Sequence, residues 1–125
     1  MKIIVVDDEP VIADTLVEIL KGEGCEAIAV SDGASALRWA PMMRPDALIC
    51  DVIMPDMNGI QTAKAVLRAV PECRIILFSG QSASLDLLED ARKEGHPFEI
   101  LAKPINPVVL LSILGLSPSA QRREG

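Results

Sequence analysis

Five short apolar runs alternate with five helix-like segments at intervals of roughly 20 to 28 residues, and few folds accommodate that rhythm. The runs fall at residues 2–6, 25–30, 46–50, 74–78 and 98–102. Ile12, Leu16, Ile19 and Leu20 recur at helical spacing ahead of Gly22 and Gly24, and a second helix covers 33–43, closed by Pro45. A third covers 58–70 and ends before Pro71; a fourth runs from about Ser82 to Glu94, with Gly95 as its stop. The last begins at Asn106-Pro107, a cap residue followed by proline at the first helical position. Alternation of this kind selects a doubly wound α/β sheet over α+β or all-β. The 125 residues hold one core, expected over residues 1–116, with 117–125 as a flexible C-terminal tail. Aromatic residues are only 2% of the chain, so aliphatic side chains must build that core.

Four of the five runs end in polar residues. Asp7-Asp8 follows the first, Asp51 the third, Ser79-Gly80 the fourth and Lys103-Pro104 the fifth. Parallel α/β sheets place their ligand sites beyond the carboxyl ends of the strands, so these groups converge at one edge. Three carboxylates there repel one another by about 4 kcal/mol per pair at 4 Å and an effective dielectric of 20, so something positive must sit with them. An all-oxygen set suits Mg²⁺ or Mn²⁺ and not zinc. Lys103 adds a further positive charge and Ser79 a hydroxyl donor. A divalent ion, a lysine and a hydroxyl around a free carboxylate make a receptor for a phosphoryl group, and Asp51 is the carboxylate that could accept it covalently.

The Asp7-Asp8 pair, Asp51 in an Asp-x-x-Met-Pro-x-Met-x-Gly context, Ser79 before a small residue, and Lys103-Pro104 stand in one order and spacing. On these motifs residues 1 to about 116 resemble the receiver domain of bacterial two-component response regulators. The resemblance implies a flavodoxin-like fold: a five-stranded parallel sheet in the order 2-1-3-4-5 with five helices. It also implies that Asp51 takes the phosphoryl group from a phosphohistidine of a histidine kinase or phosphotransfer protein. Asp8, Asp51 and the main-chain carbonyl of Ile53 would hold Mg²⁺ (or Mn²⁺), with Asp7 acting through water. Ser79 would donate its hydroxyl to a phosphoryl oxygen. Lys103 would pair with Asp51 before the transfer and with the phosphoryl group after it. The Lys103-Pro104 bond would be cis, and Gly59 would let the loop after Asp51 turn. Such a domain signals by conformational change and is not an enzyme beyond self-phosphorylation and slow autodephosphorylation. Ile53 and Gln81 would flank the path of the attacking water.

Other functions fit poorly. A net charge of −6 argues against a nucleic-acid surface, and Arg122-Arg123 is too short to supply one. No run is long enough for a signal-peptide core or a membrane span, which reads as a soluble cytoplasmic chain without a membrane partner. Cys25, Cys50 and Cys73 read as small buried hydrophobes, and the lone His96 has no neighbours for a metal or catalytic role. A flavodoxin-like cofactor binder needs a Ser/Thr/Gly loop where Asp7-Asp8-Glu9 stands. A phosphohydrolase working through an aspartyl phosphate places a second acid two residues past its nucleophile, where this chain has Ile53.

Two segments depart from the family pattern. Three positions before Lys103, where most receivers carry an aromatic switch, stands Ile100, and the nearest aromatic is Phe98. In the last helix Pro107, Leu110, Leu111 and Leu114 form a stripe expected to face the sheet. Val109, Ile113 and Leu116 form a second, expected to contact a homodimer partner or effector. The chain reads as a stand-alone receiver; the alternatives are a receiver excised from a longer regulator or hybrid kinase, and a degenerate receiver acting as a phosphate-independent interaction module.

Overall fold

The computed structural model describes residues 1–80, 84–96 and 98–116. Gln81, the expected helix start at Ser82 and the tail at 117–125 lie outside the described residues. The elements are β1 (Lys2–Val6), α1 (Pro10–Gly22), β2 (Glu26–Val30), α2 (Gly33–Met43), β3 (Ala47–Asp51), α3 (Gly59–Ala69), β4 (Arg74–Ser79), α4 (Ser84–Lys93), β5 (Glu99–Ala102) and α5 (Pro107–Ile113). The strands form one sheet in the order β2-β1-β3-β4-β5, every pairing parallel. This is the flavodoxin-like arrangement expected above.

A parallel sheet is covered by helices on both faces, which is why its strands are apolar throughout and not alternating. All five residues of β3 are buried, Asp51 included. Side-chain direction still alternates, so each strand feeds two cores. Ile4, Val6, Leu48, Cys50 and Leu77 pack with Ala36, Ala40, Ile60, Ala63 and Val66 of α2 and α3. Ile3, Val5, Ile49, Ile76 and Phe78 pack with Ala13, Leu16 and Leu20 of α1 and Leu110 of α5. Each fully buried aliphatic side chain contributes about 1.5–3 kcal/mol. Cys25, Cys50 and Cys73 are all buried and unbridged, and burial pushes each thiol up.

Local chemistry sets the helix boundaries. The Asp32 side chain accepts from the Ser35 N–H at 2.7 Å to start α2, and Asn58 and Gln61 form a reciprocal capping box at the start of α3. Asn106 accepts from the Val108 and Val109 N–H groups ahead of α5. Helix α2 continues through Pro41, which has no N–H to offer the Leu37 carbonyl, and stops at Arg44 in a left-handed conformation with φ 50.

Helix α5 corrects the two-stripe expectation. Leu110, Leu111 and Leu114 are buried, but Pro107 is exposed and does not face the sheet. In the second stripe only Val109 is exposed, at 44%, beside Val108 at 57%; Ile113 and Leu116 are half-buried against the α1 side of the core. Gly115 is the reason for Leu116. At φ 76 it reverses the chain, so that the Leu116 N–H donates to the Leu111 carbonyl and the Gly115 N–H to the Ser112 carbonyl, and the side chain returns inward.

Candidate functional site

The strand register aligns the chemistry. Val6 pairs with Cys50, Asp51 with Phe78 and Ser79 with Ala102, so Asp7, Asp51, Ser79 and Lys103 leave the sheet at one edge. Asp51 is only 5% exposed. Its Oδ2 accepts from Lys103 Nζ at 2.7 Å, and its Oδ1 accepts from the Ile53 N–H at 3.3 Å. The Lys103 main-chain N–H donates to the Ser79 carbonyl at 3.0 Å, and the Lys103-Pro104 peptide is cis. Burial alone would lower the lysine's pKa. The hydrogen bond to Asp51 and the charges of Asp51, Asp7 and Glu9 together outweigh it, so the ammonium is held above its ordinary value.

Asp7 is wholly buried. Its Oδ1 accepts from the Glu9 N–H at 2.9 Å, while Oδ2 has no hydrogen-bond partner among the described residues. Desolvation pushes this carboxyl up to about 6; the Glu9 N–H and the Lys103 charge pull it down, and the negative charges of Asp51 and Asp8 add to the rise. Asp8 is exposed. One carboxylate oxygen from each of Asp7, Asp8 and Asp51 lies within 4.8 Å of the others. A buried acceptor without a donor is costly, and three acidic oxygens this close repel, so the site fits an added cation better than its own side chains alone. The donor set is all oxygen, which matches a hard divalent ion.

The structure brings Asp7, Asp8, Asp51 and Lys103 together, and places the Ile53 main chain against the same carboxylate. Ser79 ends β4 at the same edge but lines the neighbouring cavity, about 710 Å³, with Leu88 of α4 and Phe98, Ile100 and Ala102 at β5. Asp51, Ile53 and Lys103 instead open onto a cavity of about 570 Å³ walled by Ile12, Leu16 and Ile19 of α1 and by Pro104 and Ile105. Ile100 is 48% exposed at the rim of the Ser79 cavity. Phe98 is half-buried against the core and stacks on His96, with ring centroids 5.7 Å apart.

Two residues act differently from their sequence reading. Gly59 does not serve the turn, because its φ is not positive; the left-handed residue of that loop is the exposed Asp56, at φ 66. A Cβ on Gly59 would instead stand 2.2 Å from the Asp51 carbonyl oxygen. Phe78 reads as a core residue of β4, yet Lys103 Nζ sits over its ring, 5.2 Å from the centroid. Periodicity gave no sign of either, since the first depends on how α3 folds back onto the end of β3 and the second joins β4 to the residue after β5.

Residues 3–115 match the family described as Response regulator receiver domain. The chain is 32% identical over 111 residues to the DNA-binding response regulator MtrA of Mycolicibacterium smegmatis, which covers 89% of this chain and 47% of that protein. It is 31% identical over 112 residues to the DNA-binding transcriptional regulator NtrC of Azospirillum brasilense, covering 90% and 23%. The chain thus spans about half the length, or less, of these curated relatives. Among solved structures, a response regulator receiver domain protein of Clostridium thermocellum superposes with a TM-score of 0.81 at 28% identity, covering 98% of this chain and 95% of that one. The chemotaxis protein CheY4 of Vibrio cholerae gives 0.79 at 30% identity, covering 91% and 95%. Among the described residues no helix is long and apolar enough to cross a membrane.

Proposed function

This chain belongs to the response regulator receiver domain family, and we propose that Asp51 is its phosphoacceptor, charged by the phosphohistidine of a histidine kinase or phosphotransfer protein. The observation that carries the reading is the part-buried Asp51–Lys103 pair, 2.7 Å across, its carboxylate one of three gathered there. A carboxylate oxygen of Asp51 attacks phosphorus as the bond from phosphorus to the donor imidazole nitrogen breaks, and the electron pair of that bond leaves with the nitrogen. Lys103 exchanges its partner from the carboxylate to a phosphoryl oxygen. The Ser79 hydroxyl donates to another, a role that requires it to face the Asp51 side of its strand end. Asp8, Asp51 and the Ile53 carbonyl, with Asp7 through water, would hold Mg²⁺ or Mn²⁺, which would supply positive charge against the oxygens gathered there.

The donor seats against the α1 wall of the cavity beside the pair, where exposed Val11 and half-buried Ile12 offer apolar contact. The loss of phosphate is slow, because Ile53 stands where a hydrolase would carry its second acid. The domain spans residues 1–116, and works in the cytoplasm as a signalling module and not as a turnover enzyme. Of the expected α5 contact stripe, Val109 is the exposed part that could meet a partner, beside exposed Val108, which lay outside that stripe. The DNA binding in the relatives' names belongs to proteins of at least twice this span, and we place no nucleic-acid contact on residues 1–116.

The test is phosphotransfer from a histidine kinase charged with labelled phosphate. Label should move to the native chain, be released by hydroxylamine as an acyl phosphate is, and not move to Asp51→Asn. Transfer that survives in Asp51→Asn would contradict the assignment. Absence of transfer with unchanged partner binding would favour the phosphate-independent module.

A further inference from the structure

We propose that Phe78 is a positioning residue of the phosphoacceptor site, the face of its buried ring holding the Lys103 ammonium against Asp51. The inference rests on the reading of Asp51 given above and adds to it a residue that is neither charged nor polar.

Asp51 ends β3 and Lys103 follows β5, two strands that are not neighbours; β4 lies between them and carries Phe78. Phe78 is fully buried and is the register partner of Asp51 on one side and Leu101 on the other. Its carbonyl accepts from the Val52 N–H at 3.1 Å, so the backbone bearing the ring is fixed to the strand bearing the carboxylate.

A lysine on a four-carbon stem at the edge of a sheet tends to extend its ammonium into water. Here the Lys103 side chain is only 24% exposed, and its contacts explain why. Gly80 bounds the stem, since a Cβ at that position would stand 3.1 Å from Lys103 Cβ and 3.3 Å from Cδ. The Phe78 ring lies 5.2 Å from Nζ, within the range in which the negative face of an aromatic ring attracts a cation. The carboxylate completes the seat. Of these three contacts only the Asp51 carboxylate changes charge and shape when it accepts a phosphoryl group. The ring is unaltered by the reaction, so it keeps the ammonium in reach while its partner changes from carboxylate to phosphoryl oxygen.

An apolar core residue of the same size would fill the same space without attracting a cation, and the two roles separate by electronics. Phe78 is replaced with 4-fluoro-, 3,5-difluoro- and 3,4,5-trifluorophenylalanine, which keep nearly the same volume while draining the negative face, with Phe78→Leu as end member. Two quantities are read: the rate of phosphoryl uptake from acetyl phosphate with Mg²⁺, and the proton shift of the Lys103 ε-methylene. A positioning ring predicts a stepwise fall in uptake, roughly two- to fivefold from phenylalanine to the trifluoro ring. It also predicts an upfield ring-current shift on the Lys103 ε protons that Phe78→Leu abolishes. A rate that stays flat across the fluorinated series, or Lys103 ε protons at their unshifted position in the native protein, would overturn the proposal. If the native protein takes up no phosphoryl group, the phosphoacceptor reading fails by itself, and the proton shift still decides where Lys103 is held.

Discussion

A Cβ on Gly59 would stand 2.2 Å from the carbonyl oxygen of Asp51 and 2.9 Å from the Val52 Cα, while the Gly59 N–H donates to the Val52 carbonyl at 2.8 Å. The first residue of α3 is therefore pressed against the backbone that carries Asp51. Helix propensity alone favours alanine over glycine by about 1 kcal/mol. The clash is with main-chain atoms that cannot rotate away, so it dominates. Gly59→Ala should lower stability by about 2–4 kcal/mol and slow phosphoryl uptake. A urea midpoint equal to or above that of the native protein would show that the contact has room to relax.

The Asp51–Lys103 pair should couple strongly in a double-mutant cycle. Lys103→Met leaves a nearly buried carboxylate beside two others, at a cost of about 1–3 kcal/mol without added metal. Asp51→Asn removes one of three repelling charges and should cost less than Lys103→Met. The double variant should be more stable than the sum of the single changes predicts. Additive changes, read by denaturant unfolding, would mean that the two groups do not support one another.

Asp7 should make stability depend on pH in an unusual direction. Its folded pKa, about 6, lies above the ordinary 3.8, so between those values the native state holds a proton that the unfolded chain has lost. Its contribution is favourable below about pH 4, is lost as pH rises through the window and levels off above about 6. Asp7→Asn should flatten that slope and raise metal-free stability at neutral pH by about 1–3 kcal/mol. The same substitution should weaken Mg²⁺ binding at neutral pH. An unchanged slope between pH 4 and 6 would place its source in another group.

On α5 the inward and outward residues should separate cleanly. Leu110 is wholly buried, and Leu110→Ala should cost about 2–4 kcal/mol, whereas Val109→Ala, at a 44% exposed position, should change stability by less than about 0.5 kcal/mol. Ile113→Ala should fall between them, because Ile113 is half-buried against the core. Equal costs at positions 109 and 113, measured by thermal unfolding, would restore the two-stripe picture of this helix.

The fold was legible because its signals are periodic and local: apolar runs of strand length, helical spacing between them, and Asn106-Pro107 at the start of α5. The gathering of Asp7, Asp51 and Lys103 was legible because a parallel sheet brings its strand ends to one edge whatever the details of packing. What sequence could not supply depends on how the chain packs once it has turned, which no periodic pattern records. Leu116 reads as outward by helical phase, and it turns inward only because Gly115 reverses the chain. Gly59 reads as a turn residue, and its actual constraint is the Asp51 backbone. Phe78 has the pattern of any buried strand residue; only the passage of β4 between the two charged partners sets it under Lys103.

The most direct measurement is the intact mass of the protein after incubation with Mg²⁺ and acetyl phosphate, alongside a metal-free sample and Asp51→Asn. A gain of one phosphoryl group, about 80 Da, that requires both the metal and Asp51 is the expected result. No gain in the native protein, or a gain that Asp51→Asn retains, would contradict the account.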